Sequence, residues 1–355
     1  MTVPNVGAPR LSALHAVRDQ MEISVIRVHA TALARAHGLD GDAVARLTII
    51  VGELATNIVR HARSGQIVLR AVGEHATGCI EILALDRGPG ITDMSRVMRD
   101  HGAPAQGAPP DSGLPAVRRL ADQFDIYSAG GRGTAVVAHV GARAGTNPAN
   151  ECADSFMHQN VGVVCVPLRG EDECGDDWAV DVVEGRPTAL LVDGLGHGPG
   201  AAIAASAAMS VFRDVATRRP ELLLGEMHTA LRHTRGAALS VAVVDRGGCA
   251  VRFFGIGNVD GRVVTAESSR QLMPQSGIVG HTMPRIQASD VPWPTNARLV
   301  MHSDGISSRW NTEAYPGLLA RHPALMAGVL FRDFARDRDD ATALVLRDTL
   351  VADCA

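Results

Sequence analysis

From Val44 to Ala62 the apolar residues Val44, Leu47, Val51, Leu54 and Ile58 return at spacings of three and four, as on a helix with one buried face. The period then changes. Two apolar, β-prone runs, Gln66–Val72 and Cys79–Leu85, flank residues 73–78 and predict a hairpin with a longer loop, after which Asp86-Arg87-Gly88-Pro89-Gly90 reads as a turn. Residues 101–113 mix Gly and Pro without any period and predict a loop. A short helix, Leu114–Ala121, follows, and strands Phe124–Ser128 and Thr134–Val140 are joined by the glycine turn at 129–133.

Periodicity lapses over residues 141–160, which turn polar as a linker does. Beyond them lie the β-like runs Gly162–Pro167, Trp178–Val183, Thr188–Val192, Leu239–Val244, Arg252–Gly255, Arg298–His302 and Thr342–Leu346. Helical stretches at about Gly200–Thr217 and Glu221–His233 fall between the third and fourth of these. Strands and helices grouped in blocks predict an α+β class rather than a regular βαβ alternation. The expected organisation is an N-terminal extension (1–20), a first domain (21–141), a linker (142–160) and a second domain (161–355).

The chain has 355 residues, 46% of them hydrophobic, enough for two cores. A net charge of −4 without a basic run speaks against nucleic acid as a partner. The absence of a long apolar run or a signal pattern predicts a cytoplasmic protein without a membrane span. Six scattered cysteines form no C-x-x-C pair and are expected to be reduced. Every cation is arginine, since the sequence holds no lysine. That excludes a Walker-type phosphate loop, an ordinary protein-kinase strand lysine and Schiff-base chemistry. No G-x-S-x-G or H-E-x-x-H occurs either, which leaves carboxylates and glycines.

Four acidic signals sit at strand ends in the second half: Gly175-Asp176-Asp177, Asp193-Gly194-Leu195-Gly196-His197-Gly198, Ser303-Asp304-Gly305 and Asp339-Asp340-Ala341-Thr342. Each alone reads as a plain turn, since Asp bonds its own backbone and Gly tolerates positive φ. In this order, beside apolar strands, they can converge into an oxygen cage for Mg²⁺ or Mn²⁺, and two such ions can activate water for attack on phosphorus. Together with R-G-A-A-L-S-V-A-V-V-D at Arg235–Asp245 and G-I-G-N-V at Gly255–Val259, they resemble the metal-dependent serine/threonine phosphatases of the SpoIIE-like and RsbX-like branch, over most of residues 160–350. The resemblance implies an α-β-β-α sandwich of PPM type and two metal sites. Asp193 would bridge the ions, with Asp176 and the Gly194 carbonyl completing one site and Asp304 and Asp339 the other. Asp177 and Asp340 rank second at their turns. His197 would protonate the leaving oxygen or shape the turn, and His281 and His302 are expected to be structural.

In the first half Glu53, Asn57 and His61 stand four residues apart on one helix face, which on its own reads as an ordinary solvated face. Asp86, with Gly88 and Gly90, ends a strand; Gly113 and the pair Gly133-Thr134 follow. An aspartate there can accept from an adenine amino group, and glycine turns bring N–H groups to phosphates without lysine. Glu53-Leu54-Ala55-Thr56-Asn57, Asp86-x-Gly-x-Gly90 and Gly113–Asp122 resemble the GHKL ATP-binding fold, most nearly the RsbT- and RsbW-like anti-sigma-factor serine kinases, over residues 20–140. The implied fold is an α/β sandwich with helices on one face of a mixed sheet. Glu53 would be the base, Asn57 the ligand of ATP-bound Mg²⁺ and Asp86 the adenine reader. One stretch departs from the family pattern. Where a G-x-G-L-G-L run is usual, Gly107–Leu114 reads G-A-P-P-D-S-G-L, and proline removes N–H donors. Arg118 or Arg119 is a candidate for replacing those contacts.

The resemblances imply a partner-switching regulator with opposed kinase-like and phosphatase halves acting on a STAS-domain protein in a sigma-factor system. Two alternatives are a phosphatase whose nucleotide domain only docks or senses, and a non-catalytic anti-sigma binding protein. The oligomeric state is not legible in the sequence.

Overall fold

The computed structural model describes residues 11–73, 78–98, 113–141, 157–215 and 220–347. Residues 101–112 of the loop expected at 101–113, most of the linker and the hairpin tip at 74–77 lie outside the described residues.

In the first domain β1 (Ala13–Val17) leads into α1 (Gln20–Ala36) and α2 (Gly41–Asn57), which widens into a π turn over Ile58–Ala62. Strands β2 (Gly65–Val72) and β3 (Cys79–Asp86) come next, then the short helices α3 (Met94–Val97) and α4 (Leu114–Leu120), and finally β4 (Gln123–Ser128) and β5 (Thr134–Gly141). The sheet runs β1-β2-β3-β5-β4. All of its pairings are antiparallel, where the resemblance implied a mixed sheet. Ala13–Val17, expected to lie in an extension, is its edge strand, held to β2 from Ala13↔Leu69 to Val17↔Gly65.

Asp19 caps α1 by accepting from Met21 N and Glu22 N, and Asp40 caps α2 by accepting from Ala43 N. Buried Arg46 ties α2 to the sheet, donating to Asp122 Oδ1 at 2.8 Å and to the Gly141 carbonyl at 2.7 Å. One face of the sheet packs on α1, α2 and α4 through Ile26, Leu47, Ile50, Leu54, Ile82 and Val136.

The second domain holds two five-stranded sheets. The first is built from β7 (Asp176–Val183), β8 (Arg186–Gly194), β9 (Ala237–Asp245), β10 (Ala250–Ile256) and β13 (Ser289–Pro292). The second takes β6 (Val161–Val166), β11 (Asp260–Val264), β12 (Ser269–Leu272), β14 (Arg298–His302) and β15 (Ala341–Arg347). Trp178, Phe253, Leu299 and Leu344 fill the space between them. Helices α5 (Pro199–Val215) and α6 (Pro220–Ala230) cover the outer face of the first sheet.

Helix α7 (Pro323–Phe334) covers the second sheet and, on its other side, the remaining face of the first domain's sheet: Val68, Leu83, Leu85 and Val137 share a cluster with Leu325, Val329 and Leu330. Every residue from Pro323 to Arg332 is buried. A helix between two sheets is apolar all round, and each such Leu or Val contributes roughly 1.5–3 kcal/mol by burial.

A polar group crosses the same boundary. Arg70 of β2 pairs with Glu81 of β3 at 2.8 Å, both buried, and His139 Nε2 lies 3.0 Å from Glu81. Arg70 also stacks over Trp178 of the second domain at 5.3 Å, and the rings of His158 and His322 flank His139. Cys79, Cys165 and Cys174 are buried free thiols; Cys249 is disulfide-bonded, against the expectation of six reduced cysteines.

Candidate functional sites

The acidic turns meet where the two sheets of the second domain come together. Asp176 opens β7 and sits directly across from Asp193, near the end of β8, and Gly194 N donates to the Gly175 carbonyl at 2.9 Å. The facing sheet brings Asp304 after β14 and Asp339 before β15. Ser303 Oγ spans the gap, donating to Asp176 Oδ2 at 2.6 Å and accepting from Thr342 N at 3.0 Å. Asn258 Nδ2 donates to Asp304 Oδ2 at 2.6 Å. Glycine is needed twice for backbone contact. A Cβ on Gly194 would come within 2.3 Å of the Ala201 carbonyl, and one on Gly305 within 1.9 Å of the Asp340 carbonyl.

These carboxylates crowd one another, Asp176 and Asp340 buried and Asp193, Asp304 and Asp339 half-buried. Burial pushes Asp193 up to about 9, helped by the charges of Asp176, Asp304, Asp339 and Asp340. Burial likewise raises Asp176 to about 7, the bond from Ser303 opposing it and Asp340 and Asp339 adding to it. Asp304 is raised too, by burial and then by Asp339, with Asn258 working against both. Such a set suits a hard divalent cation, which wants oxygen donors and would relieve the repulsion. The carboxylates feel one another's charge, yet among the described residues no three His, Cys, Asp or Glu side chains meet at coordinating separation.

Asp340 is a brace: its Oδ1 accepts from Leu168 N at 2.7 Å and its Oδ2 from Gly175 N at 2.8 Å. Asp177 accepts from its neighbour Trp178 N. His197 lies on the loop between β8 and α5, with Nδ1 2.8 Å from Glu171 Oε1. His302 is buried between the Ser303 carbonyl and Trp310 Nε1. Sequence reading gave no role to Ser303, Asn258 or Glu171. The first two stand inside the Ser303-Asp304-Gly305 and G-I-G-N-V stretches, the signal that would have found them.

In the first domain two turns clasp each other. Asp86 Oδ1 accepts from Gly88 N at 2.7 Å and Thr134 N at 3.2 Å, and Oδ2 accepts no bond among the described residues. Burial raises the Asp86 pKa; those two N–H groups, then Arg332 and His61, oppose it. Gly133, at φ +76°, would put a Cβ within 1.9 Å of the Asp86 carbonyl, and a Cβ on Gly90 would meet the Ala129 carbonyl at 2.2 Å. Gly131 N donates to Pro89 O at 2.8 Å and Ile91 N to Ser128 Oγ at 2.8 Å. Asp86, Gly88, Gly90, Gly133 and Thr134 therefore form one cluster. Glu53 stands apart on α2, its Oε2 accepting from Gly113 N at 2.8 Å. Asn57 follows one turn later, and the π turn displaces His61 from the regular helix spacing.

The class this architecture defines is a nucleotide-binding sandwich joined to a two-sheet, carboxylate-centred phosphatase-type domain. Residues 17–140 match the model of the histidine kinase-like ATPase domain, and residues 184–348 that of stage II sporulation protein E (SpoIIE). The serine/threonine-protein kinase RsbT of Bacillus subtilis (strain 168) is 40% identical over 94 residues, 26% of this chain and 69% of RsbT. Among solved structures, a chain from the bacterial stressosome shares 28% identity, covering 53% of this chain and 98% of that one at a TM-score of 0.49. RsbX in complex with magnesium shares 18%, covering 52% and 92% at a TM-score of 0.47. The chain belongs to the RsbT-type family of histidine kinase-like ATPase domains and carries, in its second half, a SpoIIE-type serine/threonine phosphatase domain. Among the described residues no helix is long and apolar enough to cross a membrane.

Proposed function

We propose that the chain is a partner-switching regulator whose second domain removes phosphate from phosphoserine or phosphothreonine of a protein, and whose first domain binds ATP and phosphorylates the same partner. The observation that carries the phosphatase half is the crowding of Asp176, Asp193 and Asp304, with Asp339 beside them, at the facing strand ends, where burial and one another's charge raise the first three and a cation would relieve them. Asp193 would bridge two Mg²⁺ or Mn²⁺ ions, with Asp176 and the Gly194 carbonyl at one and Asp304 and Asp339 at the other. Such a pair supplies an activated water and a clamp on the phosphoryl oxygens.

The chain's own residues do the rest. Ser303 fixes Asp176 and Asn258 fixes Asp304, so that neither swings away. Glu171 holds His197 through Nδ1, which leaves Nε2 to carry a proton to the departing seryl oxygen. In the first domain the open Oδ2 of Asp86 accepts from the adenine amino group, the glycine turns present N–H groups, Asn57 would hold Mg²⁺ and Glu53 acts as base. The partner is of the STAS-domain kind, a reading that rests on the likeness to RsbT.

One observation favours a second reading, in which the first domain binds nucleotide without transferring phosphate. The Glu53 carboxylate is already engaged by Gly113 N. Transfer of labelled γ-phosphate to a STAS-domain protein separates the two readings.

The phosphatase reading is tested by hydrolysis of p-nitrophenyl phosphate and a phosphoserine peptide with Mn²⁺, with Mg²⁺ and after chelation. Turnover is expected only with metal. A folded, metal-loaded chain inert on both substrates would remove the enzyme claim.

A further inference from the structure

The last turn of α7 touches both sites. Arg332, 6% exposed, donates through Nη1 to the Asp86 carbonyl at 2.6 Å, while its Nε and Nη2 grip Asp333 at 2.9 and 2.6 Å. Asp333 also accepts from Arg87 Nε at 3.2 Å and from the Tyr315 hydroxyl at 2.9 Å, and Arg87 Nη2 donates to the Arg332 carbonyl. Arg132, in the turn that clasps Asp86, lies over the Tyr315 ring at 5.4 Å. Both nucleotide-site turns are thus seated on groups from the phosphatase domain.

Within four residues the chain reaches the other site. Ser307 N donates to the Phe334 carbonyl at 2.9 Å, and Ala335 bridges to Ile306. Arg336 N donates to the Gly305 carbonyl at 2.7 Å, and its Nη1 to the Asp304 carbonyl at 3.1 Å. The Asp304–Gly305 turn has no slack, being packed against the Asp340 backbone where a Cβ would find 1.9 Å. A movement of the Asp86 turn therefore displaces Arg332, and a short, fully bonded segment passes that displacement to the backbone of Asp304.

We infer that Arg332 is a positioning residue of the nucleotide site, supplied by the phosphatase domain, and that the segment Arg332–Arg336 couples nucleotide occupancy to phosphatase turnover. The inference rests on the reading of Asp86 as base-contacting and of Asp304 as part of the phosphatase centre. Both end contacts are to backbone carbonyls, so the coupling works by shifting turns. Linkage makes the binding part of it reciprocal: a metal that orders the Asp304 turn changes nucleotide affinity by the factor with which nucleotide changes metal affinity.

The test uses the full chain, with a non-hydrolysable ATP analogue and Mn²⁺ in excess over it so that chelation is not the readout. Analogue affinity is measured by calorimetry, and p-nitrophenyl phosphate turnover with and without analogue, in wild type, Arg332→Lys and Arg336→Gln. In wild type, saturating analogue is expected to change turnover by about fivefold or more, the lower end of ordinary coupling between sites. Arg332→Lys keeps the charge but loses the planar grip, so analogue affinity and coupling both fall. The exposed Arg336→Gln variant should keep analogue affinity while its turnover ratio moves toward one. Analogue binding with wild-type turnover unmoved would overturn the coupling and leave the nucleotide-site reading standing. No analogue binding would overturn both. Full-sized coupling in Arg336→Gln would overturn the route through the Arg336 side chain to the Asp304 carbonyl.

Discussion

At the phosphatase centre, burial sets several carboxylates against one another, and Asp176 and Asp193 are driven far above the ordinary aspartate range. At the boundary with the first domain Glu81 is just as buried, and burial again raises its pKa, but Arg70 and then His139 outweigh it and hold it at about 2. The two regions differ in whether the fold supplies the countercharge. Glu81 has its partners built in, as buried charges usually do. The acidic turns leave theirs to something that binds.

Removing one charge from the unpaired set gives the largest expected effect. Asp193→Asn should cost more than about 100-fold in turnover, since changes to groups behind a ligand already cost about 10–100-fold. Nucleotide binding, in the other domain, should persist. The same variant should melt at higher temperature than wild type under chelation, because the carboxylate repelled by Asp176, Asp304, Asp339 and Asp340 is gone. A variant that melts lower without metal would mean that Asp193 has a partner within the chain, and the contrast with Glu81 would collapse.

Titration sharpens the same contrast. Asp176 and Asp193 have folded pKa values raised above the unfolded 3.8, so they favour the fold when protonated; that contribution is fully present below 3.8 and is lost as pH rises from there to about 7 and about 9. Glu81 is depressed from 4.5 to about 2, so its contribution is present above 4.5 and lost as pH falls toward 2. The metal-free chain should therefore lose stability steadily as pH rises from 3.8 to about 9, and saturating Mg²⁺ should remove that loss toward neutral and higher pH without altering the acid limb set by Glu81. Melting temperature against pH, with chelator and with Mg²⁺, reads both limbs in one series.

At the nucleotide site the expected change is smaller, because one bond rather than a charge balance is removed. Asp86→Ala deletes the acceptor proposed for the adenine amino group and releases Gly88 N and Thr134 N. Hydrogen bonds to charged groups are worth about 1.5–3 kcal/mol, so ATP affinity should fall by roughly 10–100-fold. Unchanged affinity in calorimetry would place the adenine elsewhere.

How far the sequence revealed these regions follows the same physics. The helix at 41–57 was legible because one face is buried and the other is not. Helix α7 was not, because Pro323 to Arg332 are all buried and no polar period remains. Helix α1 buries Ile23, Ile26, Ala30 and Ala34 but exposes Met21, Val25 and Val28, which blurs its stripe. The short polar strands β12 and β13 have no apolar run to announce them. Aspartates at glycine turns declared the acidic centre, whereas Ser303 and Asn258 are common residue types whose importance appears only when the facing sheets bring them to Asp176 and Asp304.

Ser303→Ala carries the smallest expected effect and tests whether the acidic turns are held ready or assembled by the ion. Ser303 is fully buried, and its hydroxyl both donates to Asp176 and accepts from Thr342 N, joining the two sheets. Alanine leaves Thr342 N without that acceptor and frees Asp176 to turn. If the turns are held ready, the Mn²⁺ concentration for half-maximal turnover should rise about tenfold, as for other groups behind a ligand, while turnover at saturating Mn²⁺ stays near wild type. If the ion assembles the turns itself, half-saturation will not move and only the melting temperature will drop. The first result would make Ser303 a partner that orients Asp176 without cancelling its charge, unlike Arg70, which both holds Glu81 and supplies its countercharge.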